Sequence, residues 1–273
     1  MPCTATLPRT VVATRYVTPL REGSSLPALI EADDAGMYVL KFRGAGQGLK
    51  ALVAELLAGE VARILGLPVP EIVLVELDAE LARHEPEALI RNLVHASSGV
   101  NLALDYLPGS TMFGPRSAKP DGTLASRIVW FDAFVSNPDR TLRNTNILVW
   151  HDKVWLIDHG AALYFHHQWD GFLDRAQSPF TLVKNHVLLP LATQLHEVDA
   201  EMSARLTPEV LHALVALVPD DWMTSDPAFS DVAARRQAYV DYFVRRVQGP
   251  RPFMKEAACA HYAIGSGVTE CGI

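Results

Sequence analysis

The sequence predicts an α+β fold in two lobes, and three observations carry that prediction. The first hundred residues alternate β-branched stretches with turn residues, and one helical pattern interrupts them. From about residue 124 onward most apolar residues recur at helical spacing. Between the two, residues 101–106 form a short apolar strand broken by Leu107-Pro108-Gly109-Ser110, the expected hinge. The expected division is residues 1–103 for a β-rich N-lobe, 104–249 for a mainly helical C-lobe, and 250–273 for a loosely ordered C-terminal tail.

The elements follow in order. Residues 10–16 are rich in Val and Thr and read as a strand, followed by the turn Arg21-Glu22-Gly23-Ser24-Ser25. Residues 29–32 and 37–42 form a hairpin around Asp33-Asp34-Ala35-Gly36, whose residues favour turn conformations. A glycine-rich link then precedes a helix over 49–65, with Leu52, Val53, Leu56, Leu57, Val61, Ile64 and Leu65 at helical spacing. Gly66 stops it, and residues 70–77 read as another strand. A second helix covers 124–135, where Trp130, Phe131 and Phe134 read as core. The loop 136–145 leads to strands at 146–150 and 153–157 joined by a His151-Asp152 turn. Residues 179–247 are helical in pattern, punctuated by Pro190, Pro208, Pro219 and Pro227.

Composition removes several classes of function. With 24 basic and 31 acidic residues the net charge is −7, which argues against general nucleic-acid binding. The longest apolar runs, such as 187–192, fall well short of the roughly 20 residues that span a bilayer. No secretory signal is visible, and Cys3, Cys259 and Cys271 form neither a disulfide framework nor a zinc motif. The expected setting is the cytoplasm.

The chemistry concentrates in Asn137-Pro138-Asp139-Arg140-Thr141-Leu142-Arg143-Asn144-Thr145-Asn146, followed by Ile157-Asp158-His159-Gly160. Phosphoryl transfer needs one carboxylate to orient a hydroxyl, and an amide plus a second carboxylate to hold magnesium against a triphosphate. Asp139, an asparagine five residues on, and Asp158 at the end of an apolar strand supply that set. Singly, each residue has a bland reading: Lys41 as a solvated lysine, Glu55 as the polar face of a helix, Asp139 as a turn former. The ordered combination outweighs them. His166-His167 does not make a metal site, because neighbours on a strand face opposite ways. Nor does His196-Glu197, which lacks a second histidine four residues from the first. Arg235-Arg236 and Arg245-Arg246 read as solvated faces.

Asp139-x-x-x-x-Asn144 with Asp158-His159-Gly160 resembles the catalytic and metal-binding motifs of protein-kinase-like enzymes. More closely, the chain resembles the HipA-like kinase family, related in fold to the phosphatidylinositol 3- and 4-kinases. The likeness extends to Val39-Leu40-Lys41-Phe42, to Ala54-Glu55, and to Leu104-Asp105-Tyr106-Leu107-Pro108-Gly109-Ser110, covering roughly residues 10–165.

The resemblance implies a bilobal protein-kinase-like fold and the transfer of the γ-phosphoryl group of Mg-ATP to a hydroxyl, foremost a Ser or Thr of a protein. A pseudokinase, or a small-molecule or lipid kinase, is the alternative. It implies Lys41 on the α- and β-phosphates and Glu55 as its ion-pair partner, with Glu60 as the fallback. Asp139 is implied as catalytic base and Asn144 and Asp158 as ligands of Mg2+, with Asn146 competing because it directly precedes an apolar strand. The backbone from Ala103 through Asp105 and Tyr106 to Leu107 would meet adenine. Without a G-x-G-x-x-G loop, the turn holding Gly23, Ser24 and Ser25 would cover the phosphates. Ser24 or Ser25 is a candidate autophosphorylation site. HipA-like toxins often have a DNA-binding antitoxin partner, though nothing in this chain demands one.

Overall fold

The computed structural model describes residues 7–20, 26–46, 48–83, 85–224 and 226–266. Five strands, β1 (Thr10–Pro19), β2 (Ala28–Ala32), β3 (Met37–Lys41), β4 (Ile72–Leu77) and β5 (Gly99–Asp105), close into a barrel of order β1-β2-β3-β5-β4. Neighbours run antiparallel except β1 and β4, whose parallel pairing completes the closure. The β2–β3 hairpin turns through Ala35, at φ 63°, and Asp34 Oδ1 accepts the Gly36 N–H at 2.9 Å. Val11, Ile30, Tyr38, Leu40, Val73, Val75 and Ala103 fill the barrel.

The helix α1 (Gly48–Ile64) lies between β3 and β4 in sequence and buries twelve of its seventeen residues. A helix apolar on every side needs a partner on every side. On one side α1 meets β4 and β5, whose Ile72, Leu102 and Leu104 share its apolar cluster; on another it meets the helical remainder. At Gly59 the terminal methyl of Ile72 on β4 packs into the space a Cβ would occupy, 2.5 Å from that position.

A short helix α2 (Ala88–Ala96) precedes β5 and stands where the sequence led us to expect no element. It buries only Ile90 and Val94, too few positions for periodicity to announce it. Beyond β5, β6 (Thr111–Met112), β7 (Ile147–Trp150) and β8 (Lys153–Leu156) make a small antiparallel sheet. His151 and Asp152, both at positive φ, form the two-residue turn between β7 and β8 that suits strand twist. The apolar helix α3 (Gly122–Phe134) runs up to the motif-bearing loop.

The helices α4 (Phe172–Ala176), α5 (Leu195–Arg205), α6 (Pro208–Ala216), α7 (Val232–Val247) and α8 (Pro252–Ser266) complete the fold, with short 3₁₀ turns between them. Three expectations need correction here. Where a loose tail was expected, α8 buries Phe253 and Ala257 against α3 and α5. Arg235 and Arg246 are buried rather than solvated. Arg246 donates to the carbonyls of Ala133 and Phe134, capping the end of α3, and to that of Ala176. His166 and His167 occupy a 3₁₀ turn, not a strand or a lobe surface shared by both, and His166 is fully buried with Nδ1 3.0 Å from the Tyr239 hydroxyl.

Candidate active site

Alternation along β3 sends Tyr38 and Leu40 into the barrel and leaves Lys41 on the other face. There Lys41 Nζ meets Asp158 Oδ1 at 2.6 Å and Glu55 Oε2 at 3.8 Å. Glu55 comes from the middle of α1 and is almost wholly buried, while Asp158 follows β8 and is partly open. Burial opposes the charge on Lys41, but Glu55 and Asp158 outweigh it and raise the pKa of the ammonium. Burial likewise opposes ionisation of Glu55; Lys41 and His159 overcome it and hold that carboxyl well below its ordinary range. The His159 backbone N–H donates to Glu55 Oε1 at 3.0 Å, and the ring Nδ1 lies 3.4 Å from the same oxygen. Glu55 thus ties β3 to the segment carrying Asp158.

The second cluster forms where α3 ends. Asn137 donates from Nδ2 to Asp132 Oδ1 at 2.8 Å and accepts the Asp139 N–H at 3.1 Å, which orients the loop. Asp139 Oδ2 accepts from Asn144 Nδ2 at 2.8 Å and from Asn146 Nδ2 at 3.1 Å. The two asparagines differ in setting. Asn144 is exposed, whereas Asn146 is buried, directly precedes β7, and has φ 47°. Asp158 also has positive φ, 57°; Asn and Asp tolerate that region better than other side chains.

Beneath both clusters lies a buried charge network. Arg140 Nε donates to Asp132 Oδ2 at 2.6 Å, and its Nη1 donates to the carbonyls of Asn146 and, at 3.4 Å, Ile157. One guanidinium therefore fixes Asn146 against the residue preceding Asp158. His186 Nδ1 accepts the Leu188 N–H at 3.0 Å, so the hydrogen lies on Nε2, 2.9 Å from Asp132 Oδ2. Burial disfavours the Asp132 charge, but Arg140 and His186 outweigh it and keep this carboxyl far below its usual range. Sequence reasoning quoted Arg140 within the motif without giving it a role, and passed over Asp132 and His186. The one available signal was an aspartate inside the otherwise apolar pattern of α3.

The remaining candidates fall in different places. Glu60 pairs with Arg63 at 2.7 Å instead of Lys41, and burial raises its pKa. Ala103 points into the barrel core. The N–H groups of Asp105 and Tyr106 are already given to the carbonyls of Glu71 and Met37, and Leu107 is buried. Gly23, Ser24 and Ser25 lie outside the described residues. The Ile157 N–H donates to the Asn146 carbonyl at 3.0 Å, which sets Asn146 beside the residue preceding Asp158, and carboxylate and amide oxygens are the donor types a small hard cation takes. Among the described residues no three His, Cys, Asp or Glu side chains gather as a metal cage. Magnesium needs none, since it keeps water and phosphate oxygens in its shell.

A lysine paired with a helix glutamate and with an aspartate just after β8, on this mixed α/β framework, is the arrangement expected of a kinase-like phosphotransferase. The chain belongs to the HipA-like kinase family, whose model matches residues 14–256. A comparison with curated proteins finds no match. Among solved structures, the fold is similar to a Helicobacter pylori proinflammatory kinase, CtkA, at TM-score 0.55 and 10% identity over 95% of this chain and 99% of that one. A Golgi casein kinase with Mn/ADP bound matches at TM-score 0.42 and 11% identity, over 90% of this chain and 75% of that one.

Proposed function

We propose that this protein transfers the γ-phosphoryl group of Mg-ATP to a hydroxyl, with Ser or Thr of a protein as the acceptor class that the family likeness supports. The observation carrying this reading is Lys41 bridging Glu55 and Asp158, with Arg140 joining the carbonyl of Asn146, in the Asp139 cluster, to that of Ile157, the residue before Asp158. In this reading the barrel with α1, residues 1–103, is an N-lobe, the helical part from 104 is a C-lobe, and nucleotide enters between them. Lys41 releases part of its hold on Asp158 to bind the α- and β-phosphates, and Glu55 keeps its ammonium in place. Asp139, fixed by two amides on Oδ2, orients the acceptor hydroxyl and takes its proton. Asp158 would hold Mg2+ with an asparagine: spacing puts Asn144 first, but the buried setting of Asn146, bonded to the residue before Asp158, favours Asn146, with exposed Asn144 completing the loop around Asp139. Bound magnesium neutralises charge on the phosphates; the chain supplies position. Among the described residues no helix is long and apolar enough to cross a membrane.

Calorimetry with ATP, with and without magnesium, on wild type and Asp158→Asn tests the pocket. Magnesium-dependent binding should weaken at least about tenfold in the variant, the scale of one lost charged ligand. Equal affinities would remove Asp158 from the site. Asp139→Ala should bind Mg-ATP like wild type yet lose about 10²-fold or more in transfer. Unchanged transfer would sink the assignment of Asp139 as base.

A further inference from the structure

Lys50 is badly placed by local rules. It lies in the first turn of α1, a turn without any acidic residue, where the helix dipole disfavours a cation. A residue that breaks a local rule points to a compensating tertiary use. Lys50 Nζ donates to the His166 carbonyl at 2.6 Å and pairs with Asp226 Oδ2 at 3.1 Å. Asp226 is nearly buried and also accepts from Trp169 Nε1 at 3.0 Å, with buried Arg235 standing 3.8 Å away.

The surrounding contacts converge on the same junction. The connection between α6 and α7 touches the barrel side at two further points. Asp221 Oδ2 pairs with Arg43 Nη1 at 2.7 Å, just before α1, and the Trp222 indole donates to the Val100 carbonyl on β5 at 3.1 Å. From below, Arg235 on α7 reaches the Trp222 carbonyl at 3.4 Å, and Tyr239 on α7 holds His166. His166 itself follows the Asp158-His159-Gly160 motif by a few residues. Three elements therefore meet at Lys50: the helix carrying Glu55, the segment after the metal motif, and the α6–α7 connection.

We infer that Lys50 is a positioning residue, anchoring α1 through Asp226 and the His166 carbonyl so that the Lys41–Glu55 pair is a built-in feature of the fold. The inference rests on the nucleotide-site reading above for its catalytic meaning, although the strap itself is independent of nucleotide. Kinase chemistry requires that ion pair in place, and a movable α1 would put it under separate control. Here the anchoring contacts come from the C-lobe scaffold, so α1 stays inward in the free protein.

Hydrogen–deuterium exchange on nucleotide-free wild type, Lys50→Met, Lys50→Arg and Asp226→Asn, paired with Mg-ATP calorimetry, tests it. Amides of residues 52–56 should exchange roughly tenfold faster in Lys50→Met and Asp226→Asn, the scale of a lost charged hydrogen bond. Lys50→Arg should restore wild-type protection, and Mg-ATP affinity should follow the same pattern. Exchange in Lys50→Met within twofold of wild type overturns the inference. If Lys50→Met does not fold, Asp226→Asn decides by the same readout. Failure of wild type to bind Mg-ATP would overturn the nucleotide reading alone, because the exchange comparison judges the strap without nucleotide.

Discussion

Arg140 shows how much of this site depends on one buried side chain. Its planar fork binds Asp132 with Nε and reaches two backbone carbonyls with Nη1, a geometry that a lysine's single ammonium does not reproduce. Arg140→Met strands the Asp132 charge in a dry site and should cost about 3–5 kcal/mol in urea unfolding. Adding Asp132→Met should recover only part of that stability, because removing the charge pair also leaves the buried Asn137 amide and His186 Nε2 without their acceptor. Mg-ATP binding should stay impaired in the double variant, since the carbonyls of Asn146 and Ile157 then lack the guanidinium that joins them. A single-variant cost below about 1 kcal/mol would dispose of this account. Asp139, Asn144 and Asp158 are legible as candidates because short spacings bring them to notice. Asp132 and His186 were not: they meet across 54 residues, and each alone looks like a stray polar group.

Among the elements, α1 was legible as a helix but its orientation was not. A helix buried on nearly all sides has no polar face to set its rotation, so Glu55 and Glu60 stayed rivals until β3 was placed beside it. The helix α8 was missed for a different reason. Residues 250–266 are mostly small or polar, and the packing rests largely on Phe253. That ring lies edge-on to Trp130 at 5.3 Å and 5.8 Å from Phe134, with the Arg246 guanidinium 4.7 Å from its centre. Phe253→Ala should therefore cost about 3–5 kcal/mol, as for other large aromatic truncations in cores. A loss under about 1 kcal/mol in thermal or urea unfolding would mean that α8 contributes little to the helical core. Arg246 makes the cost matter for the site, because it caps α3 immediately before the Asp139 loop.

Across the whole molecule, buried carboxylates couple the two halves of the site to acid stability. Glu55 joins α1 to the Asp158 segment, and Asp132 joins α3 to the Asp139 loop and to His186. Both are held below their ordinary pKa, so each binds a proton more readily when the chain is unfolded. A depressed folded pKa means the stabilisation is complete above the unfolded value and disappears as pH falls through the folded one. For Glu55 that window runs from 4.5 down to about 2. Unfolding midpoints in urea should accordingly begin to fall below about pH 6.5, where burial of His166 opposes its protonation in the folded chain, and fall more steeply below about pH 5 as the carboxylates join. Glu55→Gln should start from lower stability at neutral pH and show a shallower fall, because one of the linked groups no longer titrates. Salt discriminates this cause from surface repulsion. The pairs are buried and weakly screened, so raising ionic strength to 1 M should leave the acid slope in place, whereas a fall driven by exposed charges would flatten. A wild-type profile that is flat to pH 3, or a Glu55→Gln slope equal to wild type, would show that the Lys41–Glu55–Asp158 junction does not carry the pH dependence derived from its geometry.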